Sequence, residues 1–298
     1  MPTRTLRLNF PLDLRRTLGP IGRGPADPTF RWTGDRCWRS TRTADGPASV
    51  TIARRGADLE AEAWGPGAER VLESLPRLVG CDDRPEDFRT GHPLVARLHH
   101  RFVGMRFGRS GSIVEALVPS ILEQKVTGLE ARRAHRQVVL SFGEPAPGPP
   151  GLYLPPDPAT LAATPYFDLH ILGVEKKRAD VIRRACAQAG RLDTLADLAA
   201  DDARARLTTM PGIGPWTAAE VTAVAMGDPD AVSVGDYHIP SLVTWALAEQ
   251  RRGNDEQMLE LLEPFAGHRG RVIRLLGAGG LGPPRRGPRQ APRNFARH

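Results

Sequence analysis

The stretch Leu207-Thr-Thr-Met-Pro-Gly-Ile-Gly-Pro-Trp-Thr-Ala-Ala-Glu-Val-Thr-Ala-Val-Ala-Met-Gly-Asp-Pro-Asp-Ala-Val-Ser-Val-Gly-Asp-Tyr-His238 organises the chain. Ala203 to Thr208 reads as the end of one helix, Pro211-Gly-Ile-Gly-Pro215 as a tight turn, and Trp216 to Met226 as a second, Ala-rich helix with apolar spacing of three and four. The pattern predicts a helix-hairpin-helix. Gly212 and Gly214 let the backbone turn sharply and approach a partner, while Ile213 plugs the hairpin into a core. Backbone N–H groups at the start of the second helix then face an anion, for which a phosphate is well suited. Such a contact positions a polyanion without reading its sequence.

Twenty positions after Trp216, Gly235-Asp236-Tyr237-His238 ends an apolar run (Ala231, Val232, Val234) and opens another helical pattern, Ile239 to Glu249. Hairpin, Gly/Pro-rich loop and aspartate together resemble the HhH-GPD superfamily of DNA glycosylases, and most closely its alkylation-repair branch, the 3-methyladenine DNA glycosylase II type. Pro211, Gly212, Ile213, Gly214, Trp216, Thr217, Ala218, Asp236 and Tyr237 carry the resemblance. Bifunctional relatives have a lysine where this chain has Trp216. Without that amine no Schiff base forms there, so the resemblance implies a monofunctional enzyme.

On the same resemblance Asp236 is the catalytic carboxylate. Cleaving an N-glycosidic bond develops positive charge on the sugar, which a fixed carboxylate stabilises, and the group can also orient the attacking water. Read without context, a carboxylate at a helix start is an N-cap. Trp216 reads as core or, by resemblance, as a wall of the base pocket, where an electron-rich ring stacks on a flipped cationic base. Tyr237 belongs to the same pocket. Three positions depart from the family pattern. Glu220, four residues after Trp216 on the same helix face, replaces an aromatic; His238 replaces an aliphatic residue; His268 stands in place of a late aromatic. They make the expected pocket more polar. Glu220 reads either as an attractor for a cationic base or as a surface residue, and the two histidines as pocket members or structural residues.

Ile121-Leu-Glu-Gln-Lys-Val-Thr127 is similar to the family segment whose turn fills the gap left by an extruded nucleotide, which places Gln124 and Lys125 as the wedge, or Lys125 as a solvated lysine. In Leu172 to Ala179, Gly173, Lys177, Arg178 and Ala179 match a further family segment, read as a helix start with charge. The resemblance also implies a monovalent cation on the backbone carbonyls of Thr208, Met210 and Ile213, which bear no side-chain signature. No cysteine follows Cys186, so no iron–sulfur cluster is expected, and neither the cysteines nor His99-His100 have transition-metal spacing.

The remaining chain agrees. A net charge of +7 favours a polyanionic partner, here damaged double-stranded DNA, although 38 of the 41 basic residues are arginine in an Ala/Gly/Pro-rich background, as GC-rich coding also produces. Cys37, Cys81 and Cys186 suit a reducing compartment. No run approaches the ~20 apolar residues of a membrane span, and no signal-peptide core opens the chain, so a soluble, monomeric, cytoplasmic and nucleoid-associated protein is expected. The expected fold class is α+β: residues 1–105 an antiparallel sheet module with one wet face, with strands near 3–10, 37–43, 48–53 and 58–64; residues 106–276 a helical glycosylase body with the cleft between its helical halves; Gly143 to Pro158 a loop; and 277–298, with five arginines and no acid, a basic disordered tail.

Overall fold

The computed structural model describes residues 1–149 and 151–284. Most of the basic tail, 285–298, lies outside the described residues. The first tail positions continue the helical body instead: the last helix runs to Ala278, and Leu281 packs on its core because an apolar side chain is available there.

Five antiparallel strands, β1 (Thr3–Arg7), β2 (Phe30–Thr33), β3 (Arg36–Thr43), β4 (Gly46–Arg55) and β5 (Asp58–Trp64), form one sheet in the order β1-β5-β4-β3-β2. Strands β2 to β5 run as a meander, and β1 pairs back on β5 with Thr3 opposite Glu62. Alternation fixes the faces. Cys37, Ala48, Val50, Ile52, Leu59, Ala61 and Ala63 point to a core closed by α1 (Leu14–Leu18) and α2 (Ala68–Leu78). The opposite face is wet only in part. Glu60 is exposed on β5, but over β3 and β4 the Pro/Gly-rich loop folds back: Ser49 donates to the Pro147 carbonyl at 2.6 Å, Arg42 Nε to Pro155 at 2.8 Å and Ser40 Oγ to Tyr153 at 2.5 Å.

The helices follow as α3 (Pro93–Arg101), α4 (Ile113–Leu122), α5 (Gly128–Phe142), α6 (Pro158–Ala163), α7 (Tyr166–His170), α8 (Lys176–Cys186), α9 (Ala189–Asp193), α10 (Ala200–Thr208), α11 (Pro215–Ala225), α12 (Ile239–Ala248), α13 (Asp255–Leu262) and α14 (Arg269–Ala278). Helices α4 to α11 bury one apolar cluster. A second helical core joins Phe88, Val95, Leu98, Phe102 and Met105 to Val243, Met258, Leu262, Phe265 and Val272. Residues 88–105, adjacent to the sheet in sequence, thus pack with the C-terminal helices. A buried charge pair reinforces that closure: Arg271, 1% exposed, is bonded to Asp83, whose second oxygen accepts from the Phe107 amide at 3.0 Å. No helix among the described residues is long and apolar enough to cross a membrane.

Candidate active site

Helices α10 and α11 form the hairpin. Its turn is closed by Met210 N–H to the Leu207 carbonyl (3.1 Å) and Ile213 N–H to Met210 (3.0 Å). Gly212 has φ +92°, and a Cβ there would stand 2.3 Å from Val181 Cγ2 of α8, so glycine is required both by conformation and by space. Ile213 is 3% exposed within the core of α4 to α11. Pro215 has no N–H, and the first i→i−4 bond of α11 is made by Ala218 to Gly214, which leaves the Trp216 and Thr217 amides ahead of the helical ladder. Pro211, Gly212 and Gly214 are exposed, so this donor-rich end faces solvent. The helix-turn-helix geometry therefore matches the sequence reading.

From α11 the chain enters a loop fixed on all sides. Asp228 accepts from Thr222 Oγ1 (3.2 Å) and the Asp230 amide (2.9 Å) and is paired with Arg204; Asp230 accepts from the Arg269 amide and Nε at 2.8 and 2.9 Å; Gly235 N–H reaches the Asp255 carboxylate at 3.1 Å. Burial acts to raise the Asp230 carboxyl, but the Arg269 bonds outweigh it and hold it below its usual range. The loop delivers Asp236 to the start of α12, where Oδ1 accepts from the His238 and Ile239 amides at 2.7 and 2.9 Å. Oδ2 accepts from Trp216 Nε1 at 3.0 Å. The contacts to the amides leading into α12 and the Trp216 contact coexist on one half-buried carboxylate.

One turn along α11, Glu220 accepts a short hydrogen bond from Ser233 Oγ, so two successive turns of the helix are bonded to the same loop. Glu220 is half-buried, neither a free surface group nor sealed core. Tyr237 is 89% exposed and meets the exposed His238 ring edge-on at 4.9 Å. His268 is placed elsewhere. It packs at a tilt of 44° against Phe88, 5.0 Å between ring centres, and accepts from Arg271 Nε at 3.2 Å, and among the described residues no contact joins it to Trp216 or Asp236. Burial, then Arg271, hold its imidazole below the ordinary range, as befits a structural histidine.

The wedge residues separate. Lys125 is exposed at φ +55°, the tip of a tight turn after α4. Gln124 is instead tied to the hairpin, with Nε2 donating to the Gly212 carbonyl (3.0 Å) and Thr217 Oγ1 (2.9 Å). Arg178 sits 2% exposed and bonds the Leu122 carbonyl at 2.8 Å, closing the end of α4 behind that turn. Of the cation-site carbonyls, Met210 accepts from Ile213, while those of Thr208 and Ile213 have no partner among the described residues. Sequence reasoning missed Arg23, Glu123 and Ser233. Arg23 reaches from the loop after α1 to Glu123 at 3.3 Å, beside Gln124, and its long sequence separation gave no signal.

No family model matches the chain. It is 30% identical over 165 residues, 54% of its own length, to the "Probable bifunctional transcriptional activator/DNA repair enzyme AlkA" of Mycobacterium tuberculosis. That match takes in 33% of the relative, so the chain spans about a third of the curated relatives' length. Its fold is similar to that of a 3-methyladenine DNA glycosylase from Archaeoglobus fulgidus, at TM-score 0.78 and 19% identity over 92% of this chain and 97% of that one. It is similar also to the Clostridium acetobutylicum 8-oxoguanine glycosylase/lyase, at TM-score 0.71 and 13% identity over 93% and 96%. The α+β glycosylase fold and the resemblance to the HhH-GPD superfamily are thus borne out.

Proposed function

We propose that the chain is a monofunctional DNA glycosylase acting as a monomer in the cytoplasm, at the nucleoid. It grips damaged duplex DNA, flips out alkylated purines of the 3-methyladenine and 7-methylguanine type, and hydrolyses the N-glycosidic bond to leave an abasic site. The carrying observation is the Trp216–Asp236 contact at 3.0 Å at the head of the hairpin helix. It puts an electron-rich ring for the base beside a carboxylate for the sugar. A cationic alkylated base is a good leaving group, so stabilising the developing positive charge supplies most of what the reaction needs. The position next to Asp236 holds an indole where a lyase needs an amine, so no covalent sugar intermediate forms there.

The amides at the exposed hairpin turn, from Gly212 to Trp216, hold a phosphate, and Gln124 couples that grip to the Lys125 turn, which enters the duplex. The two orphaned carbonyls of Thr208 and Ile213, with that of Met210, are a neutral oxygen set that fits a monovalent cation, Na⁺ or K⁺, which would add positive charge beside the phosphate.

Incubating the protein with methylated duplex DNA and quantifying freed bases tests the reading. Release of 3-methyladenine or 7-methylguanine is expected, with intact strands bearing abasic sites and a loss on the order of a hundredfold or more in Asp236→Asn. Tight, salt-sensitive DNA binding without release of any base would replace the reading with that of a damage-binding protein. Strand scission by the purified protein would refute the monofunctional assignment.

A further inference from the structure

Between the sheet and the helical body lies a cavity of about 110 Å³ that none of Trp216, Glu220 and Asp236 lines. Its two sides differ. The loop after α1 and strand β3 supply Arg23, Asp27 and Arg39, whereas α4 and α6 supply the aliphatic side chains of Val114, Val118 and Leu161. The carboxylates that line it are committed. Asp27 accepts from the Arg23 and Thr29 amides at 2.7 and 2.8 Å and faces His135. Glu115 accepts from Arg39 Nη2 at 2.7 Å and from Thr41 Oγ1, and Asp193 from Ser112 Oγ and the Val114 amide at 3.2 and 3.0 Å. The donors are not. Arg39, 4% exposed, and Arg23, whose side chain is 9% exposed, each keep a buried Nε with no partner among the described residues, and so does the Ser110 hydroxyl, which also lines the space. A buried guanidinium N–H left unpaired costs free energy, so an acceptor is favoured beside it. Water meets that need at the arginines but finds no partner along the aliphatic wall. An occupant that suits both sides carries oxygens at one end and a short alkyl chain at the other. An apolar cavity of about 150 Å³ takes a benzene ring, so this one takes about four to six heavy atoms.

We propose that this cavity is a binding site for a short aliphatic monocarboxylate, its oxygens on the Nε donors of Arg23 and Arg39 and its chain against Val114, Val118 and Leu161. An anion ranks above a neutral carbonyl compound because both unpaired nitrogens belong to guanidinium groups, whose hydrogen bonds to a carboxylate are charge-assisted and about twice as strong as neutral ones. The arginines keep their protein partners, Glu123 at 3.3 Å and Glu115 at 2.7 Å, through Nη atoms, so the ligand adds a bond to each without displacing one. The opposite wall makes length the second criterion: each methylene adds apolar contact until the space is full, and a bulkier group meets packed helices. The site is separate from the Trp216–Asp236 contact and does not rest on the glycosylase reading.

The test titrates the full chain, without DNA, with butyrate, butyramide and cyclohexanecarboxylate, followed by saturation-transfer NMR. Saturable butyrate binding is expected, with butyramide about tenfold weaker or more because it lacks the charge, and cyclohexanecarboxylate weaker than butyrate because its ring exceeds the space. Arg39→Gln should weaken butyrate by about tenfold or more. Val118→Phe, which fills the cavity, should abolish saturation while circular dichroism shows a folded chain. No saturable butyrate binding by wild type would leave the cavity to water and overturn the proposal. Equal affinities for butyrate and butyramide, or undiminished butyrate binding by a folded Val118→Phe, would overturn it too, the first by removing the role of the guanidinium groups and the second by placing the ligand elsewhere. Should either variant fail to fold, the wild-type ligand series still decides. Base release from methylated DNA is read separately, so failure here leaves the glycosylase reading intact.

Discussion

Replacing Gly212 with alanine should separate how much of the hairpin depends on a single missing methyl group. At φ +92° the residue lies where an L side chain costs about 1–2 kcal/mol. The new Cβ would sit 2.3 Å from Val181 Cγ2, with Val181 Cβ and Cγ1 next at 3.5 Å. Val181 is 6% exposed on a helix, and a β-branched side chain there has one strongly preferred rotamer, so it cannot swing aside. Overpacking of this kind costs about 1–3 kcal/mol. Together the two terms give a loss of about 2–5 kcal/mol, or a fall in Tm of roughly 3–8 °C for a chain of this size. Urea unfolding followed by circular dichroism, on Gly212→Ala, Val181→Ala and the double variant, reads the two terms apart. The double variant should be at least about 1 kcal/mol more stable than the sum of the single effects, because trimming Val181 removes the clash and leaves only backbone strain. DNA binding should weaken with it, since the Gly212 carbonyl that receives Gln124 and the amides beyond it move together. A Gly212→Ala protein within about 0.5 kcal/mol of wild type, or strict additivity with Val181→Ala, would refute the reasoning.

Asp83→Ala should destabilise the fold by about 3–5 kcal/mol in chemical denaturation, because it strands the buried Arg271 charge, whereas Arg55→Ala on the exposed pair with Asp35 should change stability by less than about 1 kcal/mol. Cys37 and Cys186, whose thiols burial pushes up to about 12, should resist alkylation at pH 8 in the native protein and react within minutes once it is unfolded; rapid native labelling of either, read by mass spectrometry, would contradict the packing. His99 and His268 are both held below the ordinary 6.5, by burial first and then by the Arg271 charge. The unfolded chain therefore binds protons first on acidification, so their contribution is complete above pH 6.5 and is lost as pH falls through the folded values; His268→Gln should flatten the fall in Tm between pH 7 and 5.

The hairpin was legible because its requirements are local. A glycine at positive φ, a proline at the first helical position and a plug such as Ile213 are each dictated within a few residues. Asp236 was legible for the same reason, its distance from Trp216 along the chain being set by one helix and one loop. What sequence could not supply was the company these groups keep across the fold. His268 resembles a pocket residue by its position at the head of α14, yet Arg271, one turn on, and Phe88, remote in sequence, claim it. Gln124 reads as part of a wedge until Gly212 and Thr217 are seen to accept its amide. The partly covered sheet face has the same origin: alternation along β3 and β4 predicts water on one side, and only the return of the loop through Pro147 and Tyr153 fills it. Strand β2, four residues without clear alternation, and the short α6 and α9 were missed because brief elements owe their form to neighbours.

The union of α3 with the C-terminal helices has a consequence in time. Asp83 and Arg271 are separated by 188 residues. A ribosome adding ~5–20 residues per second needs roughly 10 to 40 seconds to cover that interval. For most of it, Val95, Leu98 and Phe102 have been made but their partners Met258, Leu262 and Val272 have not. The sheet core and the core of α4 to α11 can both close during synthesis, whereas this third core waits for nearly the whole described chain. The nascent protein must therefore carry an unsatisfied apolar helix while its other layers are already folded, and that helix is where a holding chaperone would find it.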